Sequence, residues 1–141
     1  MDRLHAYCYF LEALLYVADR DDVRDALRHG IHRVATLLRE ISPQFERSDV
    51  CAQLLRIRLI AHHMEIMGLD QRAGSEEADR AAAYQCSSND PRLRGGFWFG
   101  KKGGEMLPFM NPVSTAFCVQ ALALWSDHHA GTWRFELPEL I

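Results

Sequence analysis

The stretch from Asp90 to Ser126, DPRLRGGFWFGKKGGEMLPFMNPVSTAFCVQALALWS, decides how the rest of the chain is read. Its first half sets Gly95, Gly96, Gly100, Gly103 and Gly104 around Phe97, Trp98 and Phe99. That composition suits a long loop that turns through left-handed backbone conformations and presents large rings. Its second half, Pro112 to Ser126, carries no charged residue, and Val113, Ala116, Phe117, Val119, Ala121, Leu122, Leu124 and Trp125 leave little room for a wet face. A helix that is apolar all round is buried by neighbours on most sides. Pro112 fits the first turn of this helix and Asn111 its cap. The loop therefore delivers its rings to a helix N-terminus, where free N–H groups favour oxygen-rich or anionic groups.

Towards the N-terminus, enclosed and amphipathic segments alternate. Residues 4 to 18, LHAYCYFLEALLYVA, hold one carboxylate and one histidine and predict a second enclosed helix. On it Leu4, Tyr7, Cys8, Leu11, Leu15 and Ala18 share one face, and His5, Tyr9, Glu12 and Tyr16 share another. Residues 21 to 41 scatter eight charges around a single stripe of Val23, Leu27, Ile31, Val34, Leu38 and Ile41, the pattern of an outer amphipathic helix. Residues 50 to 67, capped by Ser48 or Asp49, are apolar on several faces and predict a third enclosed helix. Residues 75 to 86 predict a short outer one opening at Ser75. The tail, TWRFELPELI, reads as an extended strap.

With 141 residues and 48% apolar composition the chain supports one domain with a real core. A net charge of -3 gives no electrostatic reason to expect nucleic acid or an anionic membrane as partner. No apolar run reaches the roughly 20 residues a bilayer span needs, and no basic leader opens the chain, so the default address is cytoplasmic. Cys8, Cys51, Cys86 and Cys118 are widely spaced and read as reduced buried thiols. No cofactor fingerprint occurs. His62, His63 and Glu65 lack the i, i+4 histidine pair of helical zinc sites, so no metal is expected there.

The alternation of helices, HAYCYFLEALL opening an inner helix, and GGFWFG followed by NPVSTAFCVQALALW resemble the six-hairpin (α/α) toroid families. These include sugar epimerases, glycoside hydrolases and uronate-processing enzymes and, more distantly, terpene cyclases and protein prenyltransferases. The resemblance implies an all-α fold of antiparallel helical hairpins, with residues 1–141 forming one partial toroid domain. It also implies a central cavity lined by aromatics and carboxylates at one end of the inner helices. Five helices cannot close a ring of twelve. The expectation is that hairpins of a longer chain, or self-association, cover the apolar stripe of Ala6, Phe10, Ala13 and Val17.

On this reading His5, Tyr9 and Glu12 face the same cavity as Phe97, Trp98, Phe99, Glu105 and Asn111, an arrangement suited to a saccharide. Rings stack on apolar sugar faces, and Glu12 acts as acid or base with His5 as partner. Glu12 and His5 fit equally a pair of buried structural hydrogen bonds. Trp98 serves either as a plug or as a ligand platform. The function expected is that of a carbohydrate-active protein or a part of one. The alternatives are a non-catalytic binding or scaffold module and a relative of terpenoid cyclases, although no DxDD or DDxxD cluster occurs.

Overall fold

The computed structural model describes residues 3–141. They form α1 (Leu4–Leu15), α2 (Asp21–Ile41), β1 (Phe45–Arg47), α3 (Ser48–His63), α4 (Gln71–Ala82), β2 (Gly100–Lys102), β3 (Glu105–Met106) and α5 (Pro112–Ala130). A 3-10 turn, Leu137–Glu139, lies in the tail. The fold is predominantly helical, and its small three-stranded antiparallel sheet, in the order β1-β2-β3, is a correction to an all-α reading. Strands of two or three residues are too short to carry a period, and their partners lie far apart in the sequence, so no local signal announces them.

Helix α3 is the centre of the molecule. It packs against α1, α2, α4 and α5, and it is buried from Ser48 to Ala61, leaving only His62 and His63 near solvent. Helix α2 lays Val23, Leu27, Ile31, Val34 and Leu38 on this core and turns its charges outward. Asp21 and Asp22 sit in its first turn and Arg39 in its last, as the helix dipole favours. A Cβ at Gly30 would run into the Leu11 side chain, so this glycine sets how closely α1 and α2 approach.

The expectation that α1 and α5 are enclosed like α3 needs correcting. Each buries one face, with Cys8, Leu11 and Leu15 on α1 and Phe117, Cys118, Ala121 and Leu124 on α5. Each leaves an apolar face open: Phe10 is 55% and Val17 47% exposed, Val113 45% and Val119 53%. Ala6 and Ala13 are exposed beside Phe10 and Val17, so the stripe singled out in the sequence is indeed uncovered in the chain by itself. Apolar composition records that a face is fit for burial; the neighbour that buries it is a separate matter.

Element boundaries differ where capping chemistry was misjudged. Helix α4 begins at Gln71, because the Asp70 side chain accepts from the Ala73 N–H and so caps it one turn earlier than Ser75 would. The N-cap of α3 is Arg47, which makes no side-chain capping bond; Ser48 is already helical. The cap assigned to α5 holds, with Asn111 accepting from the Ser114 N–H at 2.6 Å and Pro112 at N1. Gly131, with φ of 66°, ends that helix in the left-handed region.

The sheet ties the glycine-aromatic loop to the start of α3. Gly100 pairs with Arg47 under the Glu46 carbonyl, where a Cβ would collide with that oxygen. The Phe99 carbonyl accepts from both the N–H and the hydroxyl of Ser48, at 2.9 and 3.1 Å. Phe97 is 1% exposed, and its N–H donates to the Thr115 hydroxyl of α5. The tail runs as a strap across three helices. Tyr16 of α1 donates to the Leu137 carbonyl, Gln120 of α5 to the Glu139 carbonyl, and Trp133 stacks on His63 at the end of α3.

In hydrogen exchange the amides of residues 52–60 in α3 should be the slowest of the chain, and those of residues 76–84 much faster. Equal protection of the two segments would show that α3 is not the centre of the core.

Candidate functional site

Two places bring functional side chains together. The first begins with an arginine. Arg56 lies on α3 with no exposed surface, and a guanidinium cannot shed its proton, so its burial demands anionic or strongly accepting partners. Glu12 of α1 supplies one: its Oε1 accepts from Arg56 Nε at 2.9 Å and from Nη2 at 2.7 Å. Gln120 of α5 supplies another, accepting from Nη1 at 2.9 Å, and the Phe117 ring lies 3.8 Å below the guanidinium carbon. Gln53, one turn before Arg56, donates to Glu12 Oε2 at 3.2 Å and bonds His5 Nδ1 at 2.8 Å.

The network joins His5 and Glu12 as the sequence anticipated, through Gln53. Glu12 is 6% exposed with both oxygens engaged. Burial pushes its carboxyl above the usual range, with Arg56 and Gln53 pulling the other way. As placed, the carboxylate ties α1 to α3. Besides part of Gln120, the groups of this network that reach solvent include His5, 22% exposed, and Tyr9, 45% exposed, whose rings meet edge to face at 4.6 Å. Tyr9 also meets Phe117 edge to face, and its phenol is raised by burial and then by Glu12. Asp49 continues the cluster outward: it takes a two-armed bond from Arg47 at 2.9 and 2.7 Å, and Arg47 lies over the Phe99 ring.

The second place is the loop. Trp98 is held by its N–H to the Tyr84 carbonyl at 2.9 Å and by a bridge to Met110. With Met106, Leu107 and Pro108 it lines an open hollow of about 300 Å³. Phe109, 49% exposed, stacks on Phe99. Glu105 is exposed on β3.

The proposed rim residues thus divide. His5, Tyr9 and Glu12 gather with Phe117, and Phe99 reaches them through Arg47 and Asp49. Trp98 lines the separate hollow, Phe97 is core, and Asn111 is a helix cap. Sequence reasoning passed over Arg56, Gln53, Gln120 and Phe117 as site members. The available signal was an arginine within a mostly apolar helix, on one face with Asp49 seven residues and Gln53 three residues before it, a polar stripe that must find partners on the flanking helices.

Elsewhere, Arg58 pairs with Glu77 of α4 at 2.6 and 2.8 Å in a second buried ion pair. All four cysteines are free and buried. Burial pushes the Cys118 thiol up to about 12 and Cys51 also well up, so neither is a ready nucleophile. Among the described residues no group of three or more His, Cys, Asp or Glu converges as a metal site, and no helix is long and apolar enough to cross a membrane.

Glu12→Ala should cost about 3–5 kcal/mol of unfolding free energy, since it strands the buried Arg56. Replacing the pair together, Glu12→Leu with Arg56→Met, should recover most of that loss in urea unfolding. A single variant as stable as the parent would mean that the network contributes nothing to the fold.

Compared with protein-family models, with curated proteins and with solved structures, the chain gives no match.

Proposed function

We propose that the chain is a saccharide-binding part of an (α/α)-toroid protein, and that it recognises its ligand on the Trp98 loop without Glu12 catalysis. The observation that carries this reading is the hollow lined by Trp98, Met106, Leu107 and Pro108. Its size lies at the lower end of small-ligand sites, and an indole wall offers a flat apolar surface for stacking.

The openness of the hollow favours a sugar over an isoprenoid. A sugar stacked by its apolar face keeps its hydroxyls in water on the open side. A hydrocarbon ligand would leave much of its surface wet and lose the burial that drives its binding. Residues that act as acid or base do not line this hollow, and Glu12, the acid or base of the enzymatic alternative, has both oxygens occupied within the core.

The loop is also preorganised, because β1, Tyr84 and Thr115 hold its backbone at successive points. A fixed platform spares the entropy of ordering a loop on binding.

The test is calorimetric titration with soluble gluco-, galacto-, manno- and xylo-configured oligosaccharides, and with geraniol as the isoprenoid arm. Trp98→Ala should weaken the binding sugar about tenfold and Trp98→Phe less, as expected for an aromatic platform worth about 0.5–1.5 kcal/mol. Glu12→Gln should leave the affinity unchanged. Binding of geraniol alone, or a sugar affinity indifferent to Trp98, would refute the proposal.

A further inference from the structure

The C-terminal ends of α3 and α5 meet in a cluster of imidazoles that the saccharide reading does not use. His62 and His63 close α3, and His128 and His129 lie in the last turn of α5. The rings of His62, His63 and His128 lie 5.2 to 5.4 Å from one another, centroid to centroid. Within the cluster His63 Nε2 and His128 Nδ1 point at each other 3.0 Å apart, near solvent.

We propose that His63 and His128 form a two-histidine site for a divalent transition-metal ion of the copper or nickel type. An ion about 2.1 Å from each of two nitrogens set 3.0 Å apart subtends roughly 90° at the metal, reached when the two rings, which meet nearly head-on in the metal-free pair, each turn by about 45° so that their lone pairs converge on it. That is the angle between neighbouring ligands in tetragonal and octahedral coordination, which Cu(II) and Ni(II) favour; tetrahedral zinc would require the two nitrogens to spread. Two protein ligands leave the remaining positions to water, consistent with the absence of a converging group of three among the described residues.

The surroundings prepare both rings. The His63 ring lies flat on Trp133 at 3.7 Å with planes 10° apart, which holds its plane while leaving the ring edge, with Nε2, turned to His128. His128 Nε2 faces the Gln71 side-chain amide at 3.4 Å. Turned to present its oxygen, that amide accepts the Nε2–H and leaves Nδ1 as the ligand, in the manner of an outer-shell partner of a metal-bound histidine. In the metal-free pair one ring nitrogen donates to the other. On binding, the shared proton moves to the far nitrogen of His63, so the neutral pair exchanges a hydrogen bond for two metal–nitrogen bonds without a change of net charge on the protein.

A metal ligand must be a neutral imidazole, and the Gln71 amide of α4 and the Trp133 ring of the strap that pack on the pair bring no charge.

The experiment is titration of the whole chain with NiCl2 and CuCl2 at pH 7.5, read by calorimetry and by quenching of tryptophan emission, with MgCl2 as the inert comparison. One equivalent of nickel or copper should bind and raise the thermal midpoint. His128→Ala should weaken binding by about tenfold or more. His63→Phe, which keeps a ring on Trp133 and removes the ligand, should do the same, whereas His29→Ala and His129→Ala should not. No binding at 100-fold excess metal over protein, or binding that survives both His128→Ala and His63→Phe, would overturn the assignment.

Discussion

A guanidinium with no exposed surface at the middle of the central helix is the constraint on which this structure turns. Arg56 cannot neutralise itself, so two of the helices packed on α3 bring it an oxygen or a ring: Glu12 from α1, Gln120 and Phe117 from α5. The same bonds fix the azimuth of both flanking helices, because a carboxylate or amide reaches the guanidinium from only a narrow range of helix rotations. The apolar core supplies most of the stabilisation, as it does in any domain. What the polar network adds is registry. Apolar faces alone tolerate a slide of one helix past another, and a buried charge left without its partner does not.

Function and stability are drawn apart by this arrangement. The network engages both oxygens of the Glu12 carboxylate inside the core, and it reaches solvent through His5, Tyr9 and part of Gln120. The segment from Trp98 to Pro108, on either side of β2, offers what the network lacks, a partly open aromatic surface on a backbone already held in place. Its rigidity comes from the sheet, where Gly100 passes beneath the Glu46 carbonyl and Ser48 takes the Phe99 carbonyl at the head of α3. The start of α3 therefore anchors the loop through the sheet and the Ser48 bonds. At the other end of α3 the strap and the histidines of α5 converge, so the central helix is met by distant segments at both ends and by the Arg56 network between them.

Residue pattern determined much of this on its own. The single stripe of α2 required an outer helix from Asp21 to Ile41, and the uncharged run after Asn111-Pro112 required a helix capped by that asparagine. Both signals are local: periodicity within one helix, and a side chain bonding a backbone N–H three residues on. The stripe of Ala6, Phe10, Ala13 and Val17 was equally legible as a surface apolar in character, since it lies opposite the face that meets α2.

Tertiary structure decided what depends on partners distant in the chain. Phe45–Arg47 becomes a strand only because Gly100–Lys102 lies beside it, a pairing across more than fifty residues that no local pattern encodes. Phe97 and Trp98 are neighbours of the same chemical type, yet one is core and the other walls a hollow, because Thr115 and Tyr84 hold their backbone with the two side chains on opposite sides. Glu12 read as a catalyst or, the more ordinary reading of a buried acid, as a structural group until Arg56 was placed against it. The identity of a charged residue is written in the sequence, but its task is set by which charges the fold brings within about 3 Å.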